Sequence, residues 1–216
     1  MAIRGAIFDM DGTLTESMHL WIEIGRRYLE GLGYTVTPEQ NKAMTQMLLE
    51  PMALYMQDEF GITKSQQQII DEINKIVEPG YFEEVVVKPT VVETLEAMRD
   101  RGIKMCVATA TDRHLTEACL KRNGIDGFFS AIFTCGEEHC NKRTSQIYDK
   151  ALAHLGTAPE ETYIFEDTYV SLLGAKQSGC RTVALQDRWS EKKRDLIRET
   201  ADIYVERMGD LDLDLL

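Results

Sequence analysis

The chain has 216 residues, 44% of them hydrophobic, which suits one ordinary domain with a smaller insertion better than two full domains. Lysine and arginine total 24 against 36 for aspartate and glutamate, a formal net charge of -12. No general positive field is available for nucleic acid or an anionic membrane, although local cations, backbone N–H groups or a metal can still hold a small anion in one pocket.

Ile3 to Phe8 reads as a short buried strand that stops abruptly at Asp9-Met10-Asp11-Gly12, where polarity and glycine indicate a turn. Glu16 to Gly31 then takes helical spacing through Leu20, Ile24, Tyr28 and Leu29, with Gly31-Leu32-Gly33 as the stop. Helices are expected over Glu39 to Leu49, Met52 to Phe60 and Lys64 to Val77, separated near Pro51 and Gly61. Their Met44, Met47, Leu48, Met52, Leu54 and Met56 read as the packed faces of a small bundle.

Beyond Pro79-Gly80 and Pro89 the pattern alternates. Val91 to Arg99 is helical, Ile103 to Ala108 a strand, Leu115 to Arg122 helical, Ala131 to Thr134 a short strand and Ser145 to Leu155 helical. Thr162 to Phe165 is a strand, Val170 to Gln177 a helix and Thr182 to Leu185 a strand. Such alternation predicts an α/β fold, a Rossmann-like, mostly parallel sheet covered on both faces. The expected core is 1–15 with 80–216, and 16–79 is an inserted helical domain. The tail from Asp210 to Leu216 reads as a solvated turn with some apolar anchoring.

The cysteines, Cys106, Cys119, Cys135, Cys140 and Cys180, are odd in number and show no CxxC spacing, so reduced structural thiols are expected, with Cys106 in the core. No signal-peptide pattern and no stretch long and apolar enough to span a membrane is present in the sequence; the expectation is a cytoplasmic protein, a monomer or weak homo-oligomer.

Asp9 and Asp11 lie just beyond a strand, where a turn can bring both towards one pocket; two close carboxylates then need a cation, a shared proton or solvent. An exposed turn broken by Gly12 is the plain alternative. The other strand ends add Thr109, Glu166 and Asp167, with Lys142 following the short strand near Thr134. The C-terminal ends of parallel strands share one edge, so these groups can converge. Carboxylates, a hydroxyl and an ammonium together suit phosphoryl transfer around a hard cation such as magnesium. Singly, Thr109 reads equally as a helix cap, Lys142 as a solvated lysine, and Glu166-Asp167 as acidic residues at a helix start.

Over essentially its whole length the chain resembles the haloacid dehalogenase-like hydrolases, in the branch that includes phosphoglycolate phosphatases and β-phosphoglucomutase and carries a helical cap after the first motif. Asp9-Met10-Asp11-Gly12-Thr13-Leu14 resembles the DxDGT signature, Val107-Ala108-Thr109 the second motif, and Phe165-Glu166-Asp167-Thr168 the acidic metal motif. The resemblance implies a magnesium-dependent phosphatase. Asp9 is then the nucleophile and a metal ligand, and Asp11 the acid and base that also offers its carbonyl to Mg2+. Asp167 is a further ligand, with Glu166 ligating or behind it. Thr109 and the Ala110 N–H hold a phosphoryl oxygen near Gly12, and Lys142 offsets charge.

Two segments depart from the family pattern. Asn141-Lys142-Arg143-Thr144-Ser145-Gln146 keeps the lysine but lacks the family's prolines, and Asp167-Thr168-Tyr169-Val170-Ser171 lacks the usual small residue and glycine at its end. A mutase needs a second phosphate grip in the cap, yet Trp21 stands where the similar mutase has histidine, and no arginine occurs between Tyr28 and Val87. Hydrolysis is therefore preferred to mutation. Dehalogenation leaves Asp11 and Asp167 without a use, and a non-catalytic binding protein predicts a missing member of the set. The expected substrate is a small phosphorylated metabolite, a sugar phosphate by preference, with Trp21 and Arg113 as candidate contacts.

Overall fold

The structure, a computed structural model, describes residues 3–45 and 47–214. The chain divides into two compact units, Ser17–Glu84 and the chain on either side of it. The flanking unit is an α/β fold of Rossmann type, built on a six-stranded sheet in the order β3-β2-β1-β4-β5-β6 with every pairing parallel. Its strands are β1 (Gly5–Phe8), β2 (Lys104–Thr109), β3 (Ile132–Thr134), β4 (Thr162–Glu166), β5 (Arg181–Leu185) and β6 (Ile203–Val205).

Register is what positions the chemistry. Phe8 pairs with Val107 on one side and Phe165 on the other, so the residues that follow, Asp9, Ala108-Thr109 and Glu166, emerge at one level of the sheet edge. The Asp9 N–H extends the ladder by donating to the Phe165 carbonyl at 3.0 Å. Because side chains alternate along a strand, Ile7, Cys106 and Ile164 pack with Ile147, Tyr148, Ala151 and Leu155 of the helix Gln146–Leu155, one cluster of the core. Phe8 instead stacks on Phe165 with ring centroids 4.4 Å apart. Cys106 is fully buried, as its apolar strand predicted.

The helices of this unit after β1 are numbered on from those of the helical unit: α6 (Val91–Asp100), α7 (Arg113–Arg122), α8 (Gln146–Leu155), α9 (Tyr169–Gln177) and α10 (Arg194–Thr200). Neither α10 nor β6 is visible in the sequence pattern. The α10 stretch is dominated by charge, and β6 is only three residues long, too short to show a period. The acidic tail is anchored through buried Met208 and Leu211, while its last two residues lie outside the described ones.

Ser17–Glu84 holds α1 (Met18–Trp21), α2 (Ile24–Gly31), α3 (Pro38–Met44), α4 (Leu49–Phe60) and α5 (Gln66–Pro79). Thr37 with Gln40 and Ser65 with Gln68 form reciprocal capping boxes that start α3 and α5. The single helix expected over Glu16 to Gly31 is two, because Glu23 adopts φ 53, a left-handed conformation no helix can pass through. Pro51 opens α4 rather than separating helices: it sits in the first turn, where no intrahelical N–H is needed. Pro79-Gly80 likewise does not end the helix, which runs into a π-helical turn over Gly80–Glu84. Met44, Met52 and Met56 are buried, but Leu48 and Leu54 of the expected packed faces are exposed.

Candidate functional site

Asp9, Glu166 and Asp167 each place a carboxylate oxygen within 4.8 Å of the others at the C-terminal edge of β1 and β4, and all three are buried. The Lys142 ammonium bonds to Asp9 Oδ1 and, at 2.6 Å, to Glu166 Oε1. Tyr148 donates its hydroxyl to the same Glu166 oxygen at 2.8 Å. Lys142 is itself buried, although its loop lacks the family's prolines. The reason lies in α9: a Cβ on Gly174 would overlap the Lys142 carbonyl oxygen and stand 3.0 Å from that of Thr144, so glycine lets the helix press against the loop and hold it.

Charge at this edge does not balance. Three carboxylates face one ammonium, and Asp167 Oδ2 is fully buried with no hydrogen-bond partner among the described residues. Burial, followed by the carboxylates of Asp9, Glu166 and Asp187, pushes the Asp167 carboxyl well above its usual range. Burial also raises Glu166 to about 7, against the opposing pull of Lys142. For Lys142, burial works against the ammonium, but Asp9 and Glu166 outweigh it and the pKa is raised. A cluster with an excess of buried negative charge, an orphaned carboxylate oxygen and oxygen donors only fits a hard divalent cation of the magnesium kind.

Around this cluster, Asp11 is half-buried and accepts a 2.6 Å hydrogen bond from the Thr111 hydroxyl. Gly12 follows with φ 83, a conformation glycine adopts freely, and the N–H groups of Thr13, Leu14 and Thr15 converge on the Met10 carbonyl. Thr109 is buried, its hydroxyl accepting from the Thr111 N–H at 3.1 Å, and Ala110 is exposed in the bend beyond β2. The structure does not bring Arg113 to the cluster by any bond. Its guanidinium makes paired 2.6 Å bonds to Glu137, reaches the Ile132 carbonyl at 2.8 Å and touches Glu117. Trp21 belongs to the helical unit, where its indole N–H donates to the Tyr81 hydroxyl at 2.7 Å.

Thr111, Tyr148, Lys88 and Asp187 were not found by reading the sequence. Thr111 stands two residues past a motif threonine, which was a usable signal; Tyr148 is hidden in an amphipathic helix, and the Lys88 to Asp187 pair joins positions far apart in the chain. Tyr169, at the start of α9, is half-buried beside the cluster of Leu172, Ala184 and Ile197.

The family model of the haloacid dehalogenase-like hydrolases matches residues 6–185, which span Asp9, Asp11, Thr109, Lys142, Glu166 and Asp167. The chain belongs to that family. It is accordingly an enzyme, a phosphatase among the haloacid dehalogenase-like hydrolases. The pyrophosphatase PpaX of Anoxybacillus flavithermus is 27% identical over 214 residues, covering 98% of this chain and 96% of its own. The crystal structure of CbbY from Rhodobacter sphaeroides in complex with phosphate is similar with a TM-score of 0.81 at 20% identity, covering 97% of this chain and 96% of that one. A mutant CbbY from the same organism, in complex with xylulose-(1,5)bisphosphate, gives 0.81 at 21% identity over 97% and 96% of the two chains. At such identity these two structures show a shared fold.

Proposed function

We infer that this phosphatase hydrolyses a small phosphomonoester, by preference a sugar phosphate, through an aspartyl-phosphate on Asp9. The carrying observation is the buried excess of carboxylate around one ammonium, with an Asp167 oxygen left without a partner among the described residues. A magnesium ion held by Asp9, Asp167 and the Asp11 carbonyl would supply the charge that offsets repulsion between a carboxylate and a phosphate dianion. Glu166, with its Oε1 already taken by Lys142 and Tyr148, would hold Lys142 and add to the negative field.

In the first step an Asp9 oxygen forms a bond to phosphorus as the ester oxygen leaves with the electron pair and takes a proton from Asp11. In the second, Asp11 accepts a proton from a water whose oxygen attacks phosphorus, and Asp9 departs as carboxylate. The Thr111 hydroxyl holds Asp11 for both transfers. Thr109 and the Ala110 N–H, beside the Gly12 turn, steady a phosphoryl oxygen, and Lys142 aims Asp9 and offsets charge on it and on the phosphoryl group. The helical segment 17–84 serves as a cap that excludes bulk water, with Trp21 a candidate substrate contact. A cytoplasmic location and a monomer or weak homo-oligomer go with this reading; no described helix is long and apolar enough to cross a membrane.

A phosphate-release screen across sugar phosphates, phosphoglycolate, nucleotides and inorganic pyrophosphate, with and without magnesium, tests this. Pyrophosphate belongs in the screen because a similar protein is named for it. Turnover of a monoester that needs magnesium and disappears in Asp9→Asn is expected. No monoester turnover, or equal turnover by the variant, sinks the reading. Isomerisation of a sugar phosphate dependent on a catalytic bisphosphate would favour a mutase instead.

A further inference from the structure

Besides Lys142, a second ammonium is buried at this sheet edge, and the reaction described above does not use it. Lys88 donates through Nζ to the Gly12 carbonyl at 2.5 Å, the Gln186 carbonyl at 3.0 Å and Asp187 Oδ2 at 2.9 Å, so each of its N–H groups has an acceptor. Its side chain is 10% exposed and that of Asp187 2%. Asp187 is held from its other side as well, with Oδ1 accepting from the Trp189 N–H at 2.9 Å.

The sheet order gives these bonds their meaning. β4 lies between β1 and β5, and β4 leads into Asp167. Gly12 belongs to the turn after β1, and Gln186 and Asp187 to the loop after β5, so the Lys88 bonds tie together the loops flanking Asp167. The backbone of Lys88 strengthens one end: its N–H donates to the Leu14 carbonyl at 2.9 Å, and Thr15 and Val87 form an antiparallel bridge. A pinned Gly12 carbonyl fixes the Gly12–Thr13 peptide, one residue past Asp11. Asp187 helps to raise the Asp167 carboxyl and Lys88 opposes it, as expected of charges packed near that oxygen.

A buried ion pair is seldom a gain in stability over well-packed apolar side chains of the same volume, because both charges must be stripped of water. Three directed bonds to two separate loops are what an apolar residue cannot supply. We propose that Lys88 is a positioning residue, an ammonium clasp between the Asp11-Gly12 turn and the Asp187 loop that holds Asp11 in working geometry beside Asp9 and Asp167. The catalytic half of this rests on the phosphatase reading; the clasp itself does not.

Hydrogen exchange and steady-state kinetics on Lys88→Met and on Lys88→Met/Asp187→Asn test it, using the best monoester from the screen at saturating magnesium. In Lys88→Met the amides of 12–15 and 187–190 should exchange together about tenfold faster, with the helices of the 17–84 segment unchanged. Its kcat should fall about tenfold or more, while KM stays within about threefold, as expected when a reacting group is misplaced and binding is not. The double variant, which removes the stranded carboxylate, should recover thermal stability but not kcat. Loosening of one loop alone or of neither, a kcat within about twofold of wild type, or recovery of kcat together with stability, would overturn the proposal. If the wild type turns over no monoester while both loops loosen together, the phosphatase reading fails and the clasp stands.

Discussion

In the helical segment, Arg26 and Lys64 meet carboxylates within reach of solvent; at the C-terminal edge of the sheet, buried carboxylates outnumber the ammonium set among them. Arg26 lies between Glu23 and Glu30, Glu23 also accepts from Asn41 at 3.0 Å, and Glu72 accepts from Lys64 at 2.6 Å and from the Tyr28 hydroxyl at 2.7 Å. These groups are half-exposed; Lys64 and Glu72 cancel, and the one negative charge left over around Arg26 stays in reach of water. Asp9, Glu166 and Asp167 are buried around Lys142 with an excess of negative charge and an oxygen that has no partner among the described residues. Balanced polar sets shape and solubilise helices at small net gain, whereas a buried imbalance persists only where something binds to correct it.

The largest way to break the contrast is to worsen the imbalance. Lys142→Met should lower kcat by about a hundredfold or more, read by phosphate release, since it removes the only ammonium bonded to Asp9 among the described residues. A milder change acts through the backbone. Gly174→Val should cost about 1–3 kcal/mol by overpacking α9 against the Lys142 and Thr144 carbonyls, measured by urea denaturation. With Lys142 displaced, kcat should fall about tenfold, while residues of the helical segment keep their exchange protection.

These two residues show what the sequence made legible and what it did not. Asp9, Thr109, Glu166 and Asp167 were readable because each ends an apolar strand, and polarity at a strand's end in a parallel sheet has few structural uses. Lys142 was readable as a residue, but its loop was not: the contact that seats it comes from a glycine on another element, which no local spacing reports. Helix breaks were misread in the segment 17–84 because a proline in a first turn and a proline before a π-helical turn carry the same local signal as a stop. Arg113 looked available beside the second motif, yet Glu137 lies across a turn and takes its guanidinium. The α10 and β6 pair escaped notice because charge and brevity hide their period.

Magnesium should sharpen the contrast with a pH signature. In the metal-free protein, Glu166 and Asp167 have folded pKa values raised above their unfolded ones, so protonation favours the fold. That contribution is complete below the unfolded values of about 4 and, for Glu166, is lost as pH rises through about 7. A cation restores it where the carboxylates are ionised. The rise in Tm on adding magnesium should therefore be small near about pH 5 and grow towards about pH 8. An equal rise at both ends would contradict the excess charge inferred here.

The smallest effect is expected where the polar groups are already balanced. Ser65→Ala removes the cap of α5 and should cost about 1 kcal/mol by urea denaturation, with kcat unchanged. A large fall in kcat would show that this helix takes part in more than shaping the segment.

Where phosphorus is held between the two halves of the reaction decides whether Asp9 is the nucleophile. Acid quench during turnover of a monoester whose alcohol is acidic enough to leave unprotonated, followed by peptide mass spectrometry, reads this directly, and Asp11→Asn should then prolong the intermediate by removing the base that activates water. One added phosphoryl group on the peptide carrying Asp9, increased in Asp11→Asn and absent in Asp9→Asn, is the predicted result. Turnover with no such adduct, or an adduct that survives Asp9→Asn on another carboxylate, would contradict it.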